Sequence, residues 1–150
     1  DVILKSICLE LGNQSANDMK NGYTPIVLQN WVNINAQKVR FKDLELQPFS
    51  NWQQEPNYKS PDWWTPYNNV KHERLFNYHK ANLKNVLNAL AGLYILENYL
   101  VKFIGDRDND SDVPNDISLI FGMIDFETRE TVIGKDSYLI TSKDIDELWK

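Results

Sequence analysis

Both histidines of the chain, His72 and His79, fall within a fourteen-residue stretch that also carries Lys71, Arg74, Lys80 and Lys84. The whole chain has a net charge of −5, so this gathering of cations stands out as a candidate anion site. Phosphate is the obvious ligand, held by charge-assisted hydrogen bonds to the Arg74 guanidinium. The same residues also suit a solvated helix face whose cations pair with Glu73 and neighbouring acids. If the stretch is one helix, Lys71 and Arg74 are i,i+3 neighbours, and His72 and His79, seven apart, share a face.

Trp52, Trp63, Trp64 and Tyr67 lie just upstream. They could form a stacking platform for bases or line a ligand pocket. Alternatively they wedge between helices and strands, each indole N–H finding a carbonyl. The run from Asp106 to Asp112 alternates acids as a calcium loop does. Such a loop needs glycine at its sixth position and a bidentate glutamate at its twelfth, where this chain has Ser111 and Ile117. A solvated loop is therefore expected there. Cys8 sits among Ile7, Leu9 and Leu11 and reads as a small core residue. There is no Gly-rich phosphate loop, no Gly-x-Ser-x-Gly and no zinc-ligand spacing, so neither metal nor cofactor is expected.

Periodicity gives the framework that carries these side chains. Ile3, Ile7 and Leu11 form one helical stripe, stopped by Gly12-Asn13. Ser15 and Thr24-Pro25 read as caps of further helical turns. From Trp31 the pattern alternates through Val32, Ile34, Val39, Phe41, Leu44 and Leu46, predicting a small hairpin ended by Pro48. Residues 50–62 read as a loop. Thr65-Pro66 then opens a helix to about Asn77. Residues 80–104 hold no proline and a wide apolar face from Leu83 to Ile104, predicting one long core helix. Lys84, Asn85, Asn88, Glu97, Asn98 and Lys102 interrupt that face, so it is not a membrane span. Ile117–Phe126, Thr131–Ile133 and Tyr138–Ile140 predict a second strand pair, and Thr141-Ser142 caps a short closing helix.

At 150 residues, 42% hydrophobic and 25% charged, the chain suits one globular domain and not a disordered or membrane protein. A pI of about 5.0 argues against broad, nonspecific attachment to nucleic acid. A single cysteine excludes an internal disulfide framework, and the opening residues carry no leader-like apolar run, so a reducing cytoplasm is expected. The chain opens at Asp1 inside an amphipathic pattern, which suggests that an N-terminal segment of the full-length protein precedes it.

The string from Pro61 to Arg74, Pro-Asp-Trp-Trp-Thr-Pro-Tyr-Asn-Asn-Val-Lys-His-Glu-Arg, followed by Ala81-Asn82-Leu83-Lys84-Asn85-Val86-Leu87-Asn88-Ala89-Leu90, resembles HEPN-like helical proteins of bacteria. Those proteins often carry an Asn-x-x-Lys-His-x-Arg type string ahead of their last long helix, here Asn68 to Arg74. The resemblance covers mainly residues 61–104. Its nuclease members carry Arg, four to six residues, then His, and Arg74-Leu75-Phe76-Asn77-Tyr78-His79 fits that spacing. The resemblance implies metal-independent RNA cleavage, with His79 as general base on a ribose 2′-hydroxyl and Arg74 stabilising charge on the phosphate. Leu75 departs from the pattern, since nuclease members usually place a polar residue directly after the arginine. The resemblance also implies a homodimer.

These readings converge on a mainly α (α+β) domain over residues 1–150, built on the long helix with two small β-hairpin elements. The function they favour is a non-catalytic module binding RNA or a partner protein through Lys71, His72, Lys80, Trp63, Trp64 and Tyr67. A metal-independent endoribonuclease using Arg74 and His79 is the alternative.

Overall fold

The computed structural model describes residues 1–108 and 118–126. Helix α1 spans Val2–Glu10 and buries Leu4, Ile7 and Cys8. It stops where expected. Gly12 takes φ +88°, and the amides of Gly12 and Asn13 close back on the carbonyls of Leu9 and Cys8 at 3.0 and 2.7 Å. This double closure needs a left-handed residue, which glycine supplies without steric cost.

Asn13, and not Ser15, then organises the turn, its Oδ1 accepting from the Ser15 and Ala16 amides. A π-helical turn over Met19–Tyr23, capped by the Asp18 carboxylate, runs directly into α2, Thr24–Asn30. Thr24 is therefore not the N-cap of α2. Its buried hydroxyl donates to the Met19 carbonyl at 2.6 Å and accepts the Trp52 indole N–H at 2.8 Å.

Only the second part of the alternating stretch becomes a hairpin. Val32 is exposed and Ile34 sits in a short 3-10 turn, Ile34–Ala36. Strands β1, Lys38–Phe41, and β2, Leu44–Leu46, pair antiparallel around Lys42 and Asp43, with Lys42 at φ 52°.

The first expected hairpin is β1-β2, and of the second β element only the stretch up to Phe126 is described; it joins the same sheet, giving the order β2-β1-β3 among the described residues. Strand β3, Phe121–Ile124, pairs antiparallel with β1, setting Phe121 opposite Phe41 and Ile124 opposite Lys38. The segments at 131–133 and 138–140, the closing helix and most of the acidic loop lie outside the described residues.

After β2 the chain is irregular yet far from peripheral. Phe49 and Trp52 are almost fully buried, with ring centroids 5.1 Å apart. The expected helix to Asn77 is broken. Helix α3 covers Trp64–His72, Glu73 leaves helical geometry at φ −135° and ψ 60°, and a single turn, α4, covers Arg74–Asn77. A 3-10 turn, Tyr78–Lys80, comes next. Pro66 lies in the first turn of α3, where a missing amide leaves no acceptor unsatisfied.

The long helix is present as α5, Leu83–Asp108. It starts three residues later than the apolar pattern suggests, because the Asn82 side chain accepts the Asn85 amide at 3.0 Å and caps it. It also runs four residues further, supported by the Lys102–Asp106 pair one turn apart. Twenty-six residues at the α-helical rise span about 39 Å. The core lies where one side of α5 (Ala91, Tyr94, Ile95, Leu96) meets α1, α2, β1 and the aromatic loop. An Arg107–Glu10 ion pair at 2.6 Å ties the far end of α5 to α1. No helix among the described residues is long and apolar enough to cross a membrane.

Candidate functional site

The helix break at Glu73 decides the geometry of the cationic stretch. Because α3 ends at His72 and the chain re-enters helix only at Arg74, His72 and His79 are not held on one helical face by a seven-residue spacing. Residues 71–84 instead form a short, stepped path from the end of α3 to the start of α5. Arg74, His72 and His79 are all exposed, and Lys80 is half-buried.

The cations differ in how they are engaged. The Lys71 ammonium is 2.7 Å from the Asp1 carboxylate and 5.9 Å from the centre of the Tyr67 ring, so its charge is largely committed within the fold. Among the described residues, Arg74, Lys80 and Lys84 have no ion-pair partner. Glu73, the acid expected to quench them, makes no side-chain bond to any of the three; its carbonyl instead accepts from the Asn77 side chain.

Of the two readings open for the aromatic residues, the tryptophans take the packing one and not the platform. Trp63 and Trp64 are buried at 7% exposure each. The Trp63 indole N–H donates to the Pro48 carbonyl at 3.0 Å, and its ring packs on Gly92 of α5. Trp64 stands edge-on to Trp63. Trp52 is deeper still. Of these four aromatics only Tyr67 reaches the surface. A stacking surface made of Trp63 and Trp64 is therefore ruled out by their role as packing between α3, the loop and α5.

Large apolar side chains that the sequence reading did not single out are exposed just after the break. Phe76 is 81% exposed and Tyr78 71%, with Leu75 beside them at 87%. Tyr78 stands edge-on to the His79 ring, centroids 6.3 Å apart. Phe76 and Tyr78 thus lie in sequence between Arg74 on one side and Lys80 and Lys84 on the other, with His79 beside Tyr78, along one largely exposed segment. The signal that could have exposed this is Glu73 itself, a charged residue at the step between two short helical runs, with Asn77 and Asn82 punctuating the path to α5.

Chemically, such an arrangement offers π-faces for bases and charge for phosphates. Catalysis would need Arg74 and His79 to meet at one phosphate, and the two sit in different helical segments, α4 and the succeeding 3-10 turn. Among the described residues, no three His, Cys, Asp or Glu side chains cluster as metal ligands. Cys8 is buried in the core, where desolvation pushes its thiol up to about 11. Comparison with protein-family models, curated proteins and solved structures returned no match.

Proposed function

We propose that the chain is a non-catalytic RNA-binding module whose contact surface is the stepped segment 74–84, and that it takes single-stranded RNA. One observation carries the reading: large aromatic side chains, Phe76 and Tyr78, stand in water between cations that have no ion-pair partner among the described residues. Exposed aromatics of this size are uncommon on a protein surface without a function, and base stacking on them contributes about 1–3 kcal/mol per base. The negative charge of the rest of the molecule confines attraction to this segment and disfavours long duplexes, whose phosphates would meet acidic surface.

Fluorescence anisotropy with a labelled 12-mer of unstructured RNA tests it. Saturable binding is expected, with log K falling against log salt at a slope of about −2, as for three phosphate contacts on a single strand. Phe76→Ala/Tyr78→Ala and Arg74→Ala/Lys80→Ala should each weaken binding at least tenfold while melting like the unaltered protein. Binding that is absent, or indifferent to both pairs, refutes the reading. The same incubation, resolved on a denaturing gel, addresses the alternative: cleavage lost in Arg74→Ala/His79→Ala would make the chain an endoribonuclease.

A further inference from the structure

Residues 143–150, Lys-Asp-Ile-Asp-Glu-Leu-Trp-Lys, carry Ile145, Leu148 and Trp149 at helical spacing, with Asp144, Asp146 and Glu147 between them. A segment this short is marginal as an isolated helix in water, because nucleation costs more than a few backbone bonds return. Its apolar stripe needs a surface to lie on, and its acids favour a surface with positive charge around it.

The start of α5 presents both. Leu83, Val86 and Leu90 succeed one another at steps of three and four residues and are 73%, 41% and 46% exposed. A single exposed leucine needs no explanation, but an apolar row on the outer face of a helix does. The inner face is already core, with Ala91, Ile95 and Leu96 buried. Lys80 and Lys84 stand at the start of the row, and among the described residues neither has an ion-pair partner. The first turn of α5 also holds no acid, although the amides at a helix start favour negative charge nearby.

We propose that residues 144–149 dock in cis on the start of α5, Ile145 on Leu83, Leu148 on Val86 and Trp149 reaching Leu90, so that Asp144, Asp146 and Glu147 gather near Lys80 and Lys84. The chain is long enough. The Phe126 ring packs against Tyr99 with centroids 5.0 Å apart, and from Tyr99 back to Leu83 the helix rises about 24 Å. Residues 127–144 span up to about 59 Å when extended, more than twice that distance. Tethering of this kind gives an effective concentration of about a millimolar, enough to hold a contact too small to persist between separate molecules. The consequence rests on the reading of 74–84 as an RNA surface: the docked acids compete with RNA phosphates for Lys80 and Lys84. The chain thereby lowers its own affinity for RNA until a strand displaces the segment.

Mild oxidation of Val86→Cys/Leu148→Cys in a Cys8→Ala background tests the docking without RNA. The control is Leu9→Cys/Leu148→Cys. Leu9 is exposed on α1 beside Glu10, which pairs with Arg107 of α5, so an undocked segment would reach it as well. The first pair is expected to close within one chain about tenfold faster than the control, at a rate independent of protein concentration. Leu83→Cys/Ile145→Cys repeats the measurement one step away, should the first pair disturb folding. Equal rates overturn the docking. So does a link between two chains, because a second copy would then occupy the row. Anisotropy with the labelled RNA reads the competition through Leu148→Ser/Trp149→Ser, which releases the segment without changing its charge. Affinity should rise about fivefold, as for a segment docked in about four molecules of five. Unchanged affinity beside a fast cross-link overturns the competition. RNA binding absent from both proteins refutes the RNA reading instead, and the cross-link alone then decides the docking.

Discussion

Replacing Gly92 with alanine is the sharpest probe of how this fold is held together, because two known effects oppose each other there. Gly92 is buried in the middle of α5. On backbone grounds alone, alanine should stabilise a helix interior by about 1 kcal/mol relative to glycine. A Cβ at this position, however, would lie 2.9 Å from Trp63 Cζ2, 3.2 Å from Phe49 Cζ and 3.3 Å from Trp63 Cε2. None of these atoms is the tip of a flexible chain. The Trp63 indole is pinned by its hydrogen bond to the Pro48 carbonyl, and the Phe49 ring is wedged against both Trp52 and Trp63. Overpacking of this kind costs about 1–3 kcal/mol, and the rigidity of the indole places it toward the upper end. The net expectation for Gly92→Ala is a loss of about 1–2 kcal/mol, a fall in melting temperature of roughly 3–6 °C for a chain of this size. Thermal denaturation followed by circular dichroism measures it. Gly122→Ala serves as control, since its added methyl meets nothing within 4 Å. Trp63→Phe removes the contacting ring edge, so the double variant Gly92→Ala/Trp63→Phe should be more stable than additivity predicts by about 1 kcal/mol. A Gly92→Ala protein that melts higher than the unaltered chain would refute the close approach of α5 to Trp63.

Thr24→Val keeps shape but strips the hydroxyl that serves both Met19 and Trp52; the buried indole N–H and carbonyl then lack partners, and urea denaturation should register a loss of about 2–3 kcal/mol. Thr24→Ser, which keeps the hydroxyl, should lose less than half of that. Burial holds the Cys8 thiol protonated up to about 11, against 9.0 when exposed. The unfolded chain thus ionises first, and stability, unaffected below pH 9, should fall by about 1.4 kcal/mol per pH unit between pH 9 and 11. Cys8→Ala should flatten that part of the profile, leaving the contributions of Tyr23 and Tyr99, whose hydroxyls burial also pushes upward. The native thiol should resist alkylation at pH 8 and react fully in guanidinium.

Residues alone disclosed whatever a few neighbours decide among themselves. The end of α1 is written in Gly12, because only that residue adopts φ +88° freely. The existence of α5 comes from an apolar face free of proline over more than twenty residues, and the burial of Cys8 from its place among the apolar residues of α1. Even where boundaries moved, the causes were local, such as the Asn82 cap that delays α5. Packing settled everything that depends on which distant surface arrives first. Phe121 joins Phe41 in one sheet and stacks on Tyr94, because β1 has an open edge and α5 a ring to offer; no pattern within β3 names that partner. Trp63 and Phe76 illustrate the same point in opposite directions. Both are large aromatics near cations, yet a glycine on a neighbouring helix leaves room for one, while the backbone break at Glu73 carries the other out into water. Side-chain type sets what a residue could do, but burial is a property of the surfaces that meet around it, and those are chosen only when the whole chain packs.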